Sequence, residues 1–229
     1  MSGMHKDVVL AVSAARKLFL KYKSINNGKI QKPVPITQKI GSGWSQDVAN
    51  YGLLRSAESL VGLAVKAVAF SRPAGSEGTI AAMIARDATN AKIFVSDGHN
   101  FCWSRFLVAK ELCHLIQGAF DDKTMSSEPQ EIIDLLSDLL SPESGALRQA
   151  KLFTLENAAY FGAIELLLPM EFQEEIMKLI SNGCDLLRIA HMYKVPELIV
   201  EFRCRNPHTI NLFNAVYEEH SYIHADMFP

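Results

Sequence analysis

The residues best placed to do chemistry lie in Lys110-Glu111-Leu112-Cys113-His114. A zinc-binding helix of the pattern H-E-x-x-H sets two imidazoles at i and i+4 on one face, where both reach a single Zn²⁺. The glutamate beside the first histidine is then aimed at the metal-bound water as general base. Here Glu111 and His114 are in register with that frame, and Lys110 stands where the first histidine would be. Taken alone, an E-x-x-H frame more often marks two surface residues of an amphipathic helix than a metal site.

A second segment gives the first its context: Glu156-Asn157-Ala158-Ala159-Tyr160-Phe161-Gly162-Ala163-Ile164-Glu165-Leu166-Leu167-Leu168-Pro169. With the hairpin expected just before Phe106, the two segments resemble the ImmA/IrrE family of zinc metallopeptidase-like proteins. In that family a hairpin leads into an R-F-x-x-A-H-E-x-x-H helix. A later helix supplies a third ligand from E-x-x-A and ends in Leu-Leu-x-Pro. Arg105, Phe106 and Ala109 match the lead-in, and Leu166 to Pro169 match the terminator. The resemblance implies Glu111 as catalytic base, His114 and Glu156 as metal ligands, zinc as cofactor, and association with transcriptional repressors. It extends over roughly residues 64 to 205 and departs from the family at three places. Tyr160 stands where Asn is usual, Gly162 where Phe is usual, and Lys110 in place of a ligand.

Lys110 changes the chemistry most. A neutral imidazole donates a lone pair, whereas an ammonium has three donors and no acceptor. To ligate zinc the lysine must lose a proton from a group with a pKa of about 10.4, and neighbouring carboxylates favour its charged form. With Lys110 removed from the ligand set, His114 and Glu156 remain, where catalytic zinc sites use three protein ligands. Cys113 is no substitute: at 100° per residue Lys110, His114 and Glu111 fall at about 0°, 40° and 100°, and Cys113 at about −60°. Cys102 and His99 precede the helix and approach it only if their loop folds back. The alternative is that Lys110 replaces the ion, its ammonium lying between Glu156 and Glu111 and neutralising carboxylates that would be costly to bury alone.

The elements that must position these residues follow from periodicity. Val8, Leu10, Val12, Leu18 and Phe19 predict a helix over 7–23, ended at Asn26-Asn27-Gly28. Residues 28–43, with Pro33, Pro35, Gly41 and Gly43, read as a linker, and a helix is expected from Ser45, as N-cap, to about Leu63. Thr79–Ala85 and Ala91–Val95, joined by Arg86 to Asn90, read as an antiparallel hairpin, with Ala64–Phe70 as a third strand. A polar insertion at 115–150 carries a helical stripe from Ile132 to Leu140. Glu156 to Leu168 is strongly apolar and stops at Pro169, further helices follow, and the last residues from His220 show no period.

The 229 residues carry a net charge of −2, with 48% hydrophobic and 21% charged residues, which excludes a disordered chain. No apolar run approaches the roughly 18 residues a bilayer span requires, and the near-neutral charge gives no general attraction to phosphate backbones. No signal-peptide pattern is present, so a cytoplasmic location with Cys102, Cys113, Cys184 and Cys204 reduced is expected. Asp185 to Arg203 resembles the helix-turn-helix-like segment trailing the family's core. Arg188, Lys194, Arg203 and Arg205 make the segment locally basic. Its second helix, Pro196 to Arg203, is however mostly apolar with two acids, which favours packing over reading DNA. His220 and His224 have i,i+4 spacing in a segment expected to be irregular, so they are not read as a metal pair. Trp44 and Trp103 read as packing residues.

The expected fold is α+β: a mostly helical zincin-like domain with a small antiparallel sheet packed on the E-x-x-H helix. Residues 1–60 read as an N-terminal helical extension and linker, 61–170 as the metallopeptidase-fold core, and 171–229 as a C-terminal helical segment. Two functions are weighed. One is a scaffold with a degenerate site, needing no cofactor and regulating by binding a protein, on the resemblance a transcriptional repressor. The other is an active zinc endopeptidase cleaving such a repressor, with Glu111 as base and zinc on His114, Glu156 and one further ligand. Lys110 favours the first.

Overall fold

Val8, Ala11, Val12, Ala15, Leu18, Phe19 and Tyr22 recur every three or four positions and are all buried. That stripe makes the first element an amphipathic helix, α1 (Met4–Ile25). It ends where Asn27 and Gly28 turn to positive φ (52° and 78°) and the Gly28 N–H reaches the Lys23 carbonyl at 2.8 Å. The computed structural model describes residues 4–34, 37–40, 43–46, 52–70, 81–117, 124–126 and 155–227.

Strands β1 (Thr37–Ile40) and β2 (Gly43–Gln46) form an antiparallel ribbon in which Gln38 pairs with Ser45. The helix expected from Ser45 therefore starts later. Ser45 belongs to a backbone ladder rather than a cap, and α2 (Leu53–Val61) begins after Gly52 and ends at Gly62, φ 72°. Its Leu53, Leu54 and Ala57 are buried.

Four strands, β3 (Ala64–Phe70), β4 (Ala82–Arg86), β5 (Asn90–Ser96) and β6 (Thr124–Ser126), form one sheet in the order β3-β5-β4-β6. The expected hairpin is β4–β5, antiparallel from Ala82↔Val95 to Arg86↔Ala91. The Asp87 carboxylate closes its turn by accepting the Thr89 and Asn90 N–H groups, each at 2.8 Å. Along β5, Ala91, Ile93 and Val95 face the core and Lys92 faces out, the period of a half-buried strand. The third strand corrects the antiparallel expectation. β3 runs parallel to β5, from Ala64↔Asn90 to Phe70↔Ser96, so the sheet is mixed. The chain lays β4 two positions away from β3, and β5, antiparallel to β4, fills the gap and so runs with β3.

Helix α3 (Phe101–Gln117) packs on β4 and β5, and is enclosed on its other sides by α1, α2 and α4 (Leu155–Leu167). Every residue from Ser104 to Leu115 is buried, which is the signature of a central helix rather than a surface one. Pro169 ends α4 and caps α5 (Met170–Ser181). Then follow α6 (Leu186–Tyr193), α7 (Glu197–Cys204) and α8 (Pro207–Met227). The irregular tail expected from His220 is thus helical to Met227. Phe213 and Val216 pack upstream, and extending a helix already begun costs little. The 132–140 stripe lies outside the described residues. The architecture is α+β, mostly helical around a small mixed sheet. Among the described residues no helix is long and apolar enough to cross a membrane.

Candidate functional site

α3 carries Lys110, Glu111 and His114 into the interior, where they are 0%, 0% and 2% exposed. The bland reading of a surface E-x-x-H helix is thereby excluded. The Lys110 ammonium Nζ lies 3.4 Å from Glu111 Oε1 and 5.2 Å from the centroid of the Tyr160 ring on α4. Tyr160, one of the departures from the family pattern, thus turns its π face toward the cation. Glu156 lies on α4 one turn before Tyr160. Its side chain, and with it the expected Lys110–Glu156 pair, falls outside the described residues.

Lys110 does not fit the first ligand position of a zinc site. The position of the first ligand holds an ammonium without a lone pair, and that ammonium pairs with the carboxylate a hydrolase would aim at water. Among the described residues no three His, Cys, Asp or Glu side chains are grouped so as to hold a metal. Cys113 faces away, as its helical angle requires. Its Sγ would lie 2.7 Å from a Cβ built on Gly162, and the Ala11 carbonyl oxygen 2.9 Å from it. Burial first, with the Glu111 charge adding to it, pushes the Cys113 thiol far above its ordinary range. Gly162, the other packing departure, is therefore what lets α1, α3 and α4 approach so closely. Cys102 lines a separate cleft against α6 and α7, and His99 is half-buried in the loop before α3.

The lead-in residues act structurally. Arg105 is 2% exposed; its Nε donates to the Lys194 carbonyl at 3.0 Å and its Nη2 to the Val34 carbonyl at 2.7 Å. It thereby ties the start of α3 to the α6–α7 turn and to the segment after α1. Phe106 stacks on Tyr160, ring centroids 6.1 Å apart and planes 11° from parallel, and Ala109 is fully buried. Trp103 packs edge-on against Phe106 at 5.8 Å.

A second buried charge cluster escaped the sequence reading. Glu165 on α4 is fully buried and accepts from Arg16 of α1 at 3.2 Å, while Arg203 of α7 lies 3.6 Å away. Tyr217 of α8 also donates to it. Burial lifts the Glu165 carboxyl above its ordinary range despite the opposing influence of Arg203, Arg16 and Tyr217. Arg16 further holds both oxygens of Glu171 on α5, at 2.8 and 3.1 Å. The cluster fastens five helices together. Its one sequence signal was an acid inside the apolar stretch from Ala158 to Leu168, Glu165 between Ile164 and Leu166.

The helix-turn-helix-like segment is α6, a turn at Lys194 in the left-handed region (φ 54°), and α7. Ile199, Val200, Phe202, Arg203 and Cys204 of α7 are buried. Arg203, counted among the segment's basic residues, is 1% exposed, faces Glu165 and lies 4.0 Å above the Phe213 ring. The His208, His220 and His224 side chains lie outside the described residues. Compared with known proteins, the chain matches no family model and no curated protein.

Proposed function

We propose that this chain is a metallopeptidase-like scaffold whose metal site has been replaced by Lys110, and that it regulates by binding another protein instead of by cutting one. The observation that carries the reading is the buried Lys110–Glu111 pair. A general base must face the nucleophilic water. Here the carboxylate that the resemblance names as the base faces an ammonium one residue away. The burial of Lys110, Glu111 and His114 supports the same reading, because a catalytic metal site keeps one position open to water and substrate. On the resemblance, the partner is a transcriptional repressor; with Lys110 in the first ligand position, no cofactor is needed. Near-neutral charge and the buried face of α7 favour a protein partner over DNA.

The test is Lys110→His. Restoring the imidazole should create a zinc site that the parent chain lacks, read as metal retained per chain after dialysis against zinc. A parent that retains zinc as tightly as the variant overturns the proposal and supports the endopeptidase alternative, with zinc on His114 and Glu156 and Glu111 as base.

A further inference from the structure

Between the first turn of α3 and the α6–α7 pair lies an open cleft of about 620 Å³. Its floor is apolar: Ala190, Val195 and Pro196 are buried, and Phe101, Trp103 and Leu198 form half-buried walls. Leu187 stands on the lip at 53% exposure, the most exposed large apolar side chain among the described residues. The two walls are held together by Arg105, which bonds the Lys194 carbonyl from α3. The shape is therefore set before anything enters, and a preformed groove loses little entropy on binding.

The charge on the rim is specific. Lys194 occupies a left-handed backbone position, φ 54°, that a glycine would take without steric cost. Its ammonium is exposed on the cleft, next to the exposed His191. Glu197, the acid on the same rim, sits in the first turn of α7, where a carboxylate interacts with the positive end of its own helix. Among the described residues no ion pair joins Lys194 to Glu197, so the Lys194 ammonium is open to a group entering the cleft.

From this geometry we infer that the cleft is the docking site for a peptide segment of a partner protein, one that inserts a bulky apolar side chain and sets an acidic side chain against Lys194. The open rim suits a side chain arriving on a larger partner rather than an enclosed small molecule. The inference rests on the protein-binding reading above and gives that reading a surface. It does not involve Lys110, which lies about two turns beyond Trp103 along α3.

The experiment uses the full chain carrying Trp44→Phe, so that Trp103 alone reports by fluorescence. Two synthetic dodecapeptide pools are titrated, each with one fixed Phe or Leu, flanked by Asp and Glu in one pool and by Lys in the other. The acidic pool should shift Trp103 emission with saturation, and the basic pool should not. Leu187→Asp should weaken binding about tenfold, and Lys194→Glu should reverse the preference between pools. Both side chains are exposed, so the variants should keep the parent's circular dichroism and melt. No saturable shift, a preference for basic peptides, or binding indifferent to both substitutions would overturn the inference. So would saturation by laurate but by neither pool. Zinc retained by the parent chain would instead sink the scaffold reading and leave any peptide result at this cleft standing.

Discussion

Lys110 is buried with its ammonium against the Glu111 carboxylate. Removing one member of a buried ion pair takes away part of what compensates the other's charge, a loss of up to about 3–5 kcal/mol. Lys110→Met should therefore lower the urea midpoint sharply. The double variant Lys110→Met/Glu111→Gln should recover much of the loss, because both charges then leave together. Equal loss in single and double variants would mean that the pair is not coupled. Gly162 tests packing at the same scale. Alanine normally stabilises a helix interior over glycine, but here its Cβ meets Cys113 Sγ and the Ala11 carbonyl oxygen at 2.7 and 2.9 Å. Gly162→Ala should thus destabilise by about 1–3 kcal/mol, as overpacking does. Adding Cys113→Ala should relieve only part of it, since the Ala11 backbone stays in place. A neutral or stabilising Gly162→Ala would contradict the close three-helix contact.

Among the elements, α3 is the one on which the others are assembled, and Arg105 joins its first turns to two distant carbonyls. A hydrogen bond to a charged donor is worth about 1.5–3 kcal/mol, so Arg105→Met should cost at least one such bond. It should also speed hydrogen exchange at the Val195 amide in the α6–α7 turn; unchanged exchange there would show that the turn holds without the arginine. Element identity was legible where the local pattern was strong: α1 follows from the spacing of its apolar residues, the β4–β5 hairpin from two apolar runs joined by a turn, and α4 from a strongly apolar stretch stopped at Pro169. What failed did so for tertiary reasons. Ser45 carries a good capping side chain, but ladder pairing with Gln38 decided its conformation. The parallel sense of β3 depends on where the chain crosses, which no local pattern encodes. In the site, Glu111 and His114 were legible from spacing, whereas the partners of Glu165 were not. Arg16, Arg203 and Tyr217 come from three separate helices, and nothing in their own neighbourhoods marks them as meeting.

At the scale of the molecule, α1 lies along α4 with its apolar stripe buried and Arg16 locked into the Glu165 cluster. A chain beginning after Gly28 should lose its cooperative thermal transition; a retained sharp melt would make α1 a dispensable addition. The same cluster sets an acid response. Burial works against the Glu171 carboxylate, but the hydrogen bond and charge of Arg16 outweigh it and hold the group below its ordinary range. As pH falls below the ordinary carboxylate range the unfolded chain therefore takes up a proton first. The stability this group contributes is present at neutral pH and is lost on the acid side. Glu171→Gln should flatten the acid limb of the urea midpoint against pH, and a limb of unchanged steepness would assign acid sensitivity elsewhere. The proposed scaffold role depends on the buried Lys110. Its most direct measurement is the metal content of the purified chain after expression in zinc-supplemented medium and dialysis. The predicted result is no stoichiometric zinc, and one tightly held zinc per chain would contradict it.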